Sequence, residues 1–214
     1  MEPPELRPAE QITRQRRLAA RISPSFSNPY MKWIKATLTS TGEMIGCAGW
    51  MGPGNPVHNF WRNTAADFYG WKGTWMTDEE YNEMWKGAGP MWHDEFEKAD
   101  GLRKEVLGNE PHWFLAPLMT WPEYQGRGVG KRLLDWAIQQ ADATDPVTPM
   151  YLESAPTAVA VYKHVGFVQQ QGGYNYLRRG PRNVNSSEAK DENENENEKV
   201  EIKVAEKGLE FGLA

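Results

Sequence analysis

The sequence predicts an α/β protein in which strands and helices interleave around one main sheet. Three observations carry this. Residues 30–50 have the period-2 alternation of a hairpin; Val129 to Ala141 has a helical apolar stripe; and short apolar runs bounded by turn residues follow each helix. With 214 residues the chain is long enough for one domain with a sizeable core and too short for two large ones.

The elements follow in order. "PAEQITRQRRLAARI", Pro8 to Ile22, reads as a helix, with Pro8 suited to its first turn and Ile12, Leu18, Ala19 and Ile22 on a partial apolar face. "SPSFSNP" breaks it. Tyr30 to Thr39 and Met44 to Trp50 then make a hairpin around Ser40-Thr41-Gly42. Residues 57–111 form a helical, tryptophan-rich insertion. Thr77 and Glu80 have capping-box spacing, and Gly108 suits a helix C-terminus. The tryptophans of this insertion have two uses, lining a substrate pocket or packing, and packing is favoured because aromatics contribute large apolar area wherever they are buried. His112 to Thr120 is the next strand, awkward only at Pro117, which suits an edge or a bulge. After "WPEY" and "QGRGVG" a helix runs to Ala141 or Asp142. "PMYLES" is a strand, Thr157 to His164 a short helix stopped by Gly166, and "FVQQQGGYNYLRR" a closing strand or hairpin.

Composition excludes several classes. The net charge is -5, and nine acids against four lysines between Asn183 and Ala214 account for all of it. The body is neutral, without the basic footprint of a nucleic-acid binder. No apolar run suits a membrane span, and "MEPPELRPAEQ" lacks the features of a secretory signal. Cys47 is the only cysteine, so no intrachain disulfide forms and a reducing, cytoplasmic compartment is expected, the nucleus included. In "IGCAGW" it reads as a small buried strand residue rather than a nucleophile. "SSEAKDENENENEKVE" has no core pattern. The organisation expected is a domain over residues 1–182 and an acidic, disordered tail over residues 183–214, with "VEIKVAEKGLEF" able to form a short strand or helix.

The motif that carries chemistry is "QGRGVGKRLLDW", Gln125 to Trp136. A dinucleotide fingerprint would need its third glycine at Lys131. A P-loop would need a glycine at Gln125 and Ser or Thr at Arg132. Both fail on spacing. What remains is still an anion cradle. Gly126, Gly128 and Gly130 permit a tight turn with outward N–H groups, the helix start adds partial positive charge, and Arg127 and Lys131 add cations. Two linked phosphates suit it.

Pro122 with Gln125-Gly126-Arg127-Gly128-Val129-Gly130, followed by "YLESAPTAVAVYKHVGF", resembles the GNAT superfamily of N-acetyltransferases, and more narrowly its fungal members. The match covers Ala9 to Leu177. The resemblance implies the GNAT fold, a central mixed, mostly antiparallel twisted sheet flanked by helices, whose first strand is here missing or reduced, leaving a sheet edge uncovered. It implies acetyl-CoA as cosubstrate and no metal. The pyrophosphate would lie on the amides of Gln125, Gly126, Arg127, Gly128, Val129, Gly130 and Lys131. The pantetheine arm would lie along Leu118, Met119 and Thr120, where the strand splays from its neighbour. Tyr162 would protonate the leaving thiolate, although a core aromatic is the plain alternative. The acidic base that many members carry on this strand is absent from Trp113 to Thr120, so Glu153 and His112 are the candidates for it.

The function expected is transfer of an acetyl group to a primary amine of a small molecule or peptide, with no nucleic-acid or membrane partner, by a monomer or homodimer. The alternative is a catalytically degenerate acyl-CoA-binding or partner-binding domain.

Overall fold

The computed structural model describes residues 3–181 and 199–205. It forms two compact units. Among the described residues, one comprises 3–31 and 56–109; the other comprises 32–55, 110–181 and 199–205.

The first unit is helical. α1 (Gln11–Ile22) begins three residues later than Pro8, because Glu10 is still extended (φ -77°, ψ 126°) and occupies the cap position. A 3-10 turn, Ser23–Ser27, ends it. α2 (Ala65–Phe68) is one turn. α3 (Asp78–Trp85) starts at the capping box that the sequence predicts. The Thr77 hydroxyl accepts the Glu80 N–H at 3.2 Å, and the Glu80 carboxylate accepts the Thr77 N–H at 2.8 Å, so two otherwise orphaned donors are satisfied. α4 (Pro90–Leu107) opens on proline and stops at Gly108, where φ is +58°.

The tryptophans of this unit mostly pack. Trp61, Trp71 and Trp85 are buried, and Trp75 is half exposed. Trp92 donates its indole N–H to the Trp61 carbonyl at 2.7 Å and meets Phe96 at 5.3 Å between ring centres. The buried Arg21 lies 5.0 Å from the Trp85 ring centre and donates to the Met84 carbonyl at 2.7 Å. A guanidinium over an indole ring gains from the π density as well as from the carbonyl its N–H reaches.

The second unit holds the sheet. Its strands are β1 (Met31–Leu38), β2 (Met44–Met51), β3 (Trp113–Thr120), β4 (Met150–Glu153), β5 (Val168–Gln169), β6 (Asn175–Arg178) and β7 (Val200–Val204), in spatial order β5-β6-β4-β3-β2-β1-β7. β3 and β4 run parallel, while the β1–β7, β2–β3, β4–β6 and β5–β6 pairs are antiparallel. This is the mixed, mostly antiparallel α/β sheet that the sequence predicts.

α5 (Val129–Asp142) packs on β2 and β3. Val129, Leu133, Leu134, Ala137 and Ala141 press into a core with Ile34, Ala36, Ile45, Trp50, Leu115, Met150 and Leu152. α6 (Val159–His164) follows β4 after a 3-10 turn. The buried Arg178 ties these parts together. It is bidentate to Asp142 at the end of α5, 2.7 Å for each bond, and donates to the Val165 carbonyl beyond α6 at 2.9 Å.

The segment 183–214 is not a tail throughout: Val200–Val204 takes the short-strand alternative as β7, paired with β1 on the edge expected to be bare. Val200 and Ile202 pack against the sheet's core, which favours pairing over solvation. The Glu/Asn alternation at 188–198 lies outside the described residues.

Candidate functional site

The site is built where β3 leaves β4. Their parallel ladder covers Trp113–Leu115 against Met150–Leu152 and then stops. β3 continues through Thr120, paired only on its other side, where Gly46, Cys47 and Ala48 face Thr120, Met119 and Leu118. The register on that side breaks between Ala48 and Trp50: these span two residues while their partners, Leu118 and Leu115, span three. The additional residue falls at Ala116–Pro117. A bulge bends the strand and leaves a position without a ladder bond, which is the place a proline tolerates. The consequence is a wedge between two strands, open toward their C-terminal ends, with Leu118, Met119 and Thr120 along one wall.

The glycine loop stands at the mouth of that wedge. Gly126 and Gly128 have φ of +76° and +77°, a region open to glycine and costly to any residue with a Cβ. The two left-handed residues turn the chain tightly into the helix, and Gly128 is also the N-cap of α5. The first helical bond is Arg132 N–H to the Gly128 carbonyl at 3.1 Å. The N–H groups of Gly126, Gly128, Val129, Gly130 and Lys131 donate to no other described residue. Five donors at the positive end of a 14-residue helix, beside an opened strand, form an anion site.

Neighbouring side chains hold the loop. The Gln125 amide donates to the Thr120 carbonyl at 3.0 Å, tying the loop to the end of β3. Arg127 lies 5.4 Å from the Tyr124 ring centre. Lys131 pairs with Asp135 one turn on, at 2.8 Å, with its side chain still half exposed. The side chain of Val129 is buried in the core, so only its backbone is available to a ligand. Gly130 is not demanded by space, since a Cβ there would meet Leu118 at an ordinary 3.6 Å. Gly46 is. A Cβ there would stand 2.8 Å from the Met119 carbonyl oxygen and 3.3 Å from Val129, so the close seating of β2 under β3 and α5 depends on it. Sequence reasoning passed over Gly46; its only signal is a glycine inside a strand pattern.

The acid and base candidates separate. Glu153 ends β4 one residue beyond the Leu115–Leu152 pair, so it sits at the apex of the wedge, half-buried, opposite Asn175 on β6. Tyr162 lies on α6 with its ring in the core, 6.0 Å from Phe167. Burial raises its hydroxyl above the ordinary pKa of 10, and that hydroxyl bonds to no other described residue. His112 is misplaced for the role of base. It precedes β3 at the end away from the glycine loop, about 25 Å from Thr120 at strand rise, and its Nδ1 is 2.7 Å from the Glu110 carbonyl. A carbonyl only accepts, so that nitrogen carries the proton. Cys47 is buried with its thiol pushed up to about 11 by desolvation, an inert residue at neutral pH.

Among the described residues there is no group of three or more His, Cys, Asp or Glu able to hold a metal ion, and no helix is long and apolar enough to cross a membrane.

Comparison with known proteins agrees with this geometry. Residues 106–185 match the sequence model described as an acetyltransferase (GNAT) domain. An uncharacterised N-acetyltransferase of Schizosaccharomyces pombe is 27% identical over 151 residues, covering 68% of this chain and 56% of that protein. The chain thus spans little more than half the length of that curated relative. Among solved structures, a histone acetyltransferase and related acetyltransferase from Corynebacterium glutamicum aligns at TM-score 0.44 and 22% identity, covering 83% of this chain and 80% of that one. A mosquito arylalkylamine N-acetyltransferase-like protein aligns at 0.39 and 14%, covering 80% and 74%. Residues 106–185, the stretch that carries the glycine loop, the opened strand pair and Tyr162, are thus similar to a GNAT acetyltransferase domain.

Proposed function

We propose that this protein is an acetyl-CoA-dependent N-acetyltransferase that moves the acetyl group directly to a primary amine of a small molecule or peptide. The observation that carries this reading is the end of the β3–β4 ladder at Leu115, beside five unpartnered N–H groups at the start of α5. Acetyl-CoA, when bound, supplies the acetyl group as an activated thioester.

The chain's own residues do the rest. The amides of Gly126, Gly128, Val129, Gly130 and Lys131 hold the pyrophosphate, with Arg127 and Lys131 adding charge, while the Gln125 N–H is taken by the Pro122 carbonyl. The free edge of Leu118–Thr120 pairs with the pantetheine arm as a further strand and polarises the thioester carbonyl through backbone N–H groups. Glu153, at the wedge apex, takes the proton that the attacking amine must lose, directly or through a water. Tyr162 delivers a proton to the sulfur as the C–N bond forms and the C–S bond breaks. Its raised pKa keeps it protonated at neutral pH, the state in which an acid works.

One observation favours a second reading. Trp113–Thr120 carries no acid, and a domain that binds acyl-CoA without turnover would need none. The experiment that separates the two is calorimetric titration with acetyl-CoA, with ATP and NAD as controls, followed by release of free CoA in the presence of a panel of amines. Binding with amine-dependent CoA release supports the transferase. Binding without release leaves the binding domain, and no binding removes both.

A further inference from the structure

The two edges of the sheet are built differently. β5, at one edge, is two residues long, too short to template another chain. β1 is eight residues long, and six strands of the sheet lie to one side of its outer edge. An edge of that length is an aggregation hazard unless it is covered.

Its cover is β7. The register runs from Ile34 opposite Val204 to Leu38 opposite Val200. Both ends are clamped: the Ala205 N–H donates to the Trp33 carbonyl at 2.8 Å, and the Thr39 N–H and hydroxyl donate to the Lys199 carbonyl at 2.9 and 2.7 Å. Seven consecutive residues, Lys199 to Ala205, are thus held. Val200 and Ile202 turn to the core, while Glu201 and Lys203 are exposed and pair with each other at 2.8 Å. A main-chain ladder with alternate apolar side chains seated on one face is the way an extended peptide binds a sheet edge.

We propose that the outer edge of β1 is a peptide-binding groove, that Lys199–Ala205 is its ligand carried on the same chain, and that this ligand is exchangeable and keeps β1 from pairing with a second copy. Chain length allows it. Five strand spacings separate β6 from β7, about 24 Å, and the 21 residues between Arg178 and Val200 reach up to about 70 Å extended. Attachment on the same chain keeps the local concentration of the segment high, so that even a weak peptide fills the groove. This inference is independent of acetyl transfer.

The test starts from the full chain. A unique protease site is inserted after Ser187, the folded protein is cut, and the C-terminal piece is removed by dilution and gel filtration. A fluorescent Lys199–Ala205 peptide is then titrated back by anisotropy, with an Ile202→Asp peptide as control, and the mass of the body is followed by light scattering. The expected result is a folded body that dimerises when stripped, binds the natural peptide at least about 50-fold tighter than the control, and returns to monomer as the peptide fills. A body that stays monomeric when stripped, binds both peptides alike or binds neither overturns the proposal. So does a C-terminal piece that never exchanges, or a stripped body that unfolds, since either makes β7 a fixed strand of the core.

Discussion

Two places in this molecule gather donors around a point of negative charge, and they do it differently. In the helical unit the point is Asp100. Its carboxylate accepts the Asn59 N–H at 2.8 Å, Arg62 at 3.1 Å and Arg103 at 2.9 Å, with Asp100 and Arg103 both buried. In the sheet unit the donors are the amides of Gly126, Gly128, Val129, Gly130 and Lys131, and no described side chain supplies them with an anion. Helix geometry accounts for part of the contrast, because Asp100 is inside α4 while the loop is the start of α5. The lesson is about use. A donor set closed by the chain's own carboxylate holds structure; a donor set left open beside a widened strand pair is arranged for a ligand.

Four changes press on that contrast. Asp100→Asn has the largest expected effect, about 3–5 kcal/mol of stability, because it removes the buried carboxylate charge that Arg103 and Arg62 pair with. Chemical denaturation measures it, and a loss below 1 kcal/mol would make the cluster incidental. Gly128→Trp is the counterpart at the open set. It places a side chain where φ is +77° and fills the cradle. Acetyl-CoA affinity should fall more than about 100-fold, roughly 2.7 kcal/mol, and calorimetry that finds full affinity would remove the pyrophosphate from this loop.

Tyr162→Phe sharpens the functional side. Turnover should drop about 100-fold with acetyl-CoA affinity within twofold and stability unchanged, since the hydroxyl has no described partner to lose. The pH profile adds a sign. An acid acts while protonated, and burial places this pKa above 10. Activity that depends on Tyr162 therefore holds through neutral pH and declines only above pH 10; an alkaline limb centred near pH 8 that vanished in the phenylalanine variant would contradict the stated environment. Gly46→Ala is the smallest and most mechanical change. Its Cβ collides with the Met119 carbonyl, for about 1–2 kcal/mol, and lifts the start of α5 from β3. Acetyl-CoA binding should weaken several-fold with it; normal binding would mean that the cradle does not depend on that seating.

The sequence made some of this plain and hid the rest for physical reasons. The loop and α5 were legible because glycine spacing and a 3.6-residue stripe are local signals, and the Thr77–Glu80 box because its partners lie three residues apart. Pro117 pointed to a bulge, and a bulge is present. Asp100, Arg62 and Arg103 were not legible, since polar residues on a helix read as a solvated face until their partners are known. The bond of Arg178 to Asp142 spans 36 residues, and no local pattern marks it. His112 was plausible as a base by residue type alone, and distance along β3 decides against it. β7 was the hardest. The alternation of Val200-Glu201-Ile202-Lys203-Val204 allowed a strand or a helix within an acidic stretch, and what decides for the strand is the β1 edge, distant in sequence.

That edge also sets an order of events. Thr39 and Lys199 are 160 residues apart, and the other six strands precede β7 in the chain. Pairs so distant in sequence form late, because loop closure comes before the contact that rewards it. On the ribosome the β1 edge is therefore bare until Lys199–Ala205 has emerged. A nascent chain stalled before Lys199 would carry a sheet able to recruit its neighbours, and the arrival of β7 silences it.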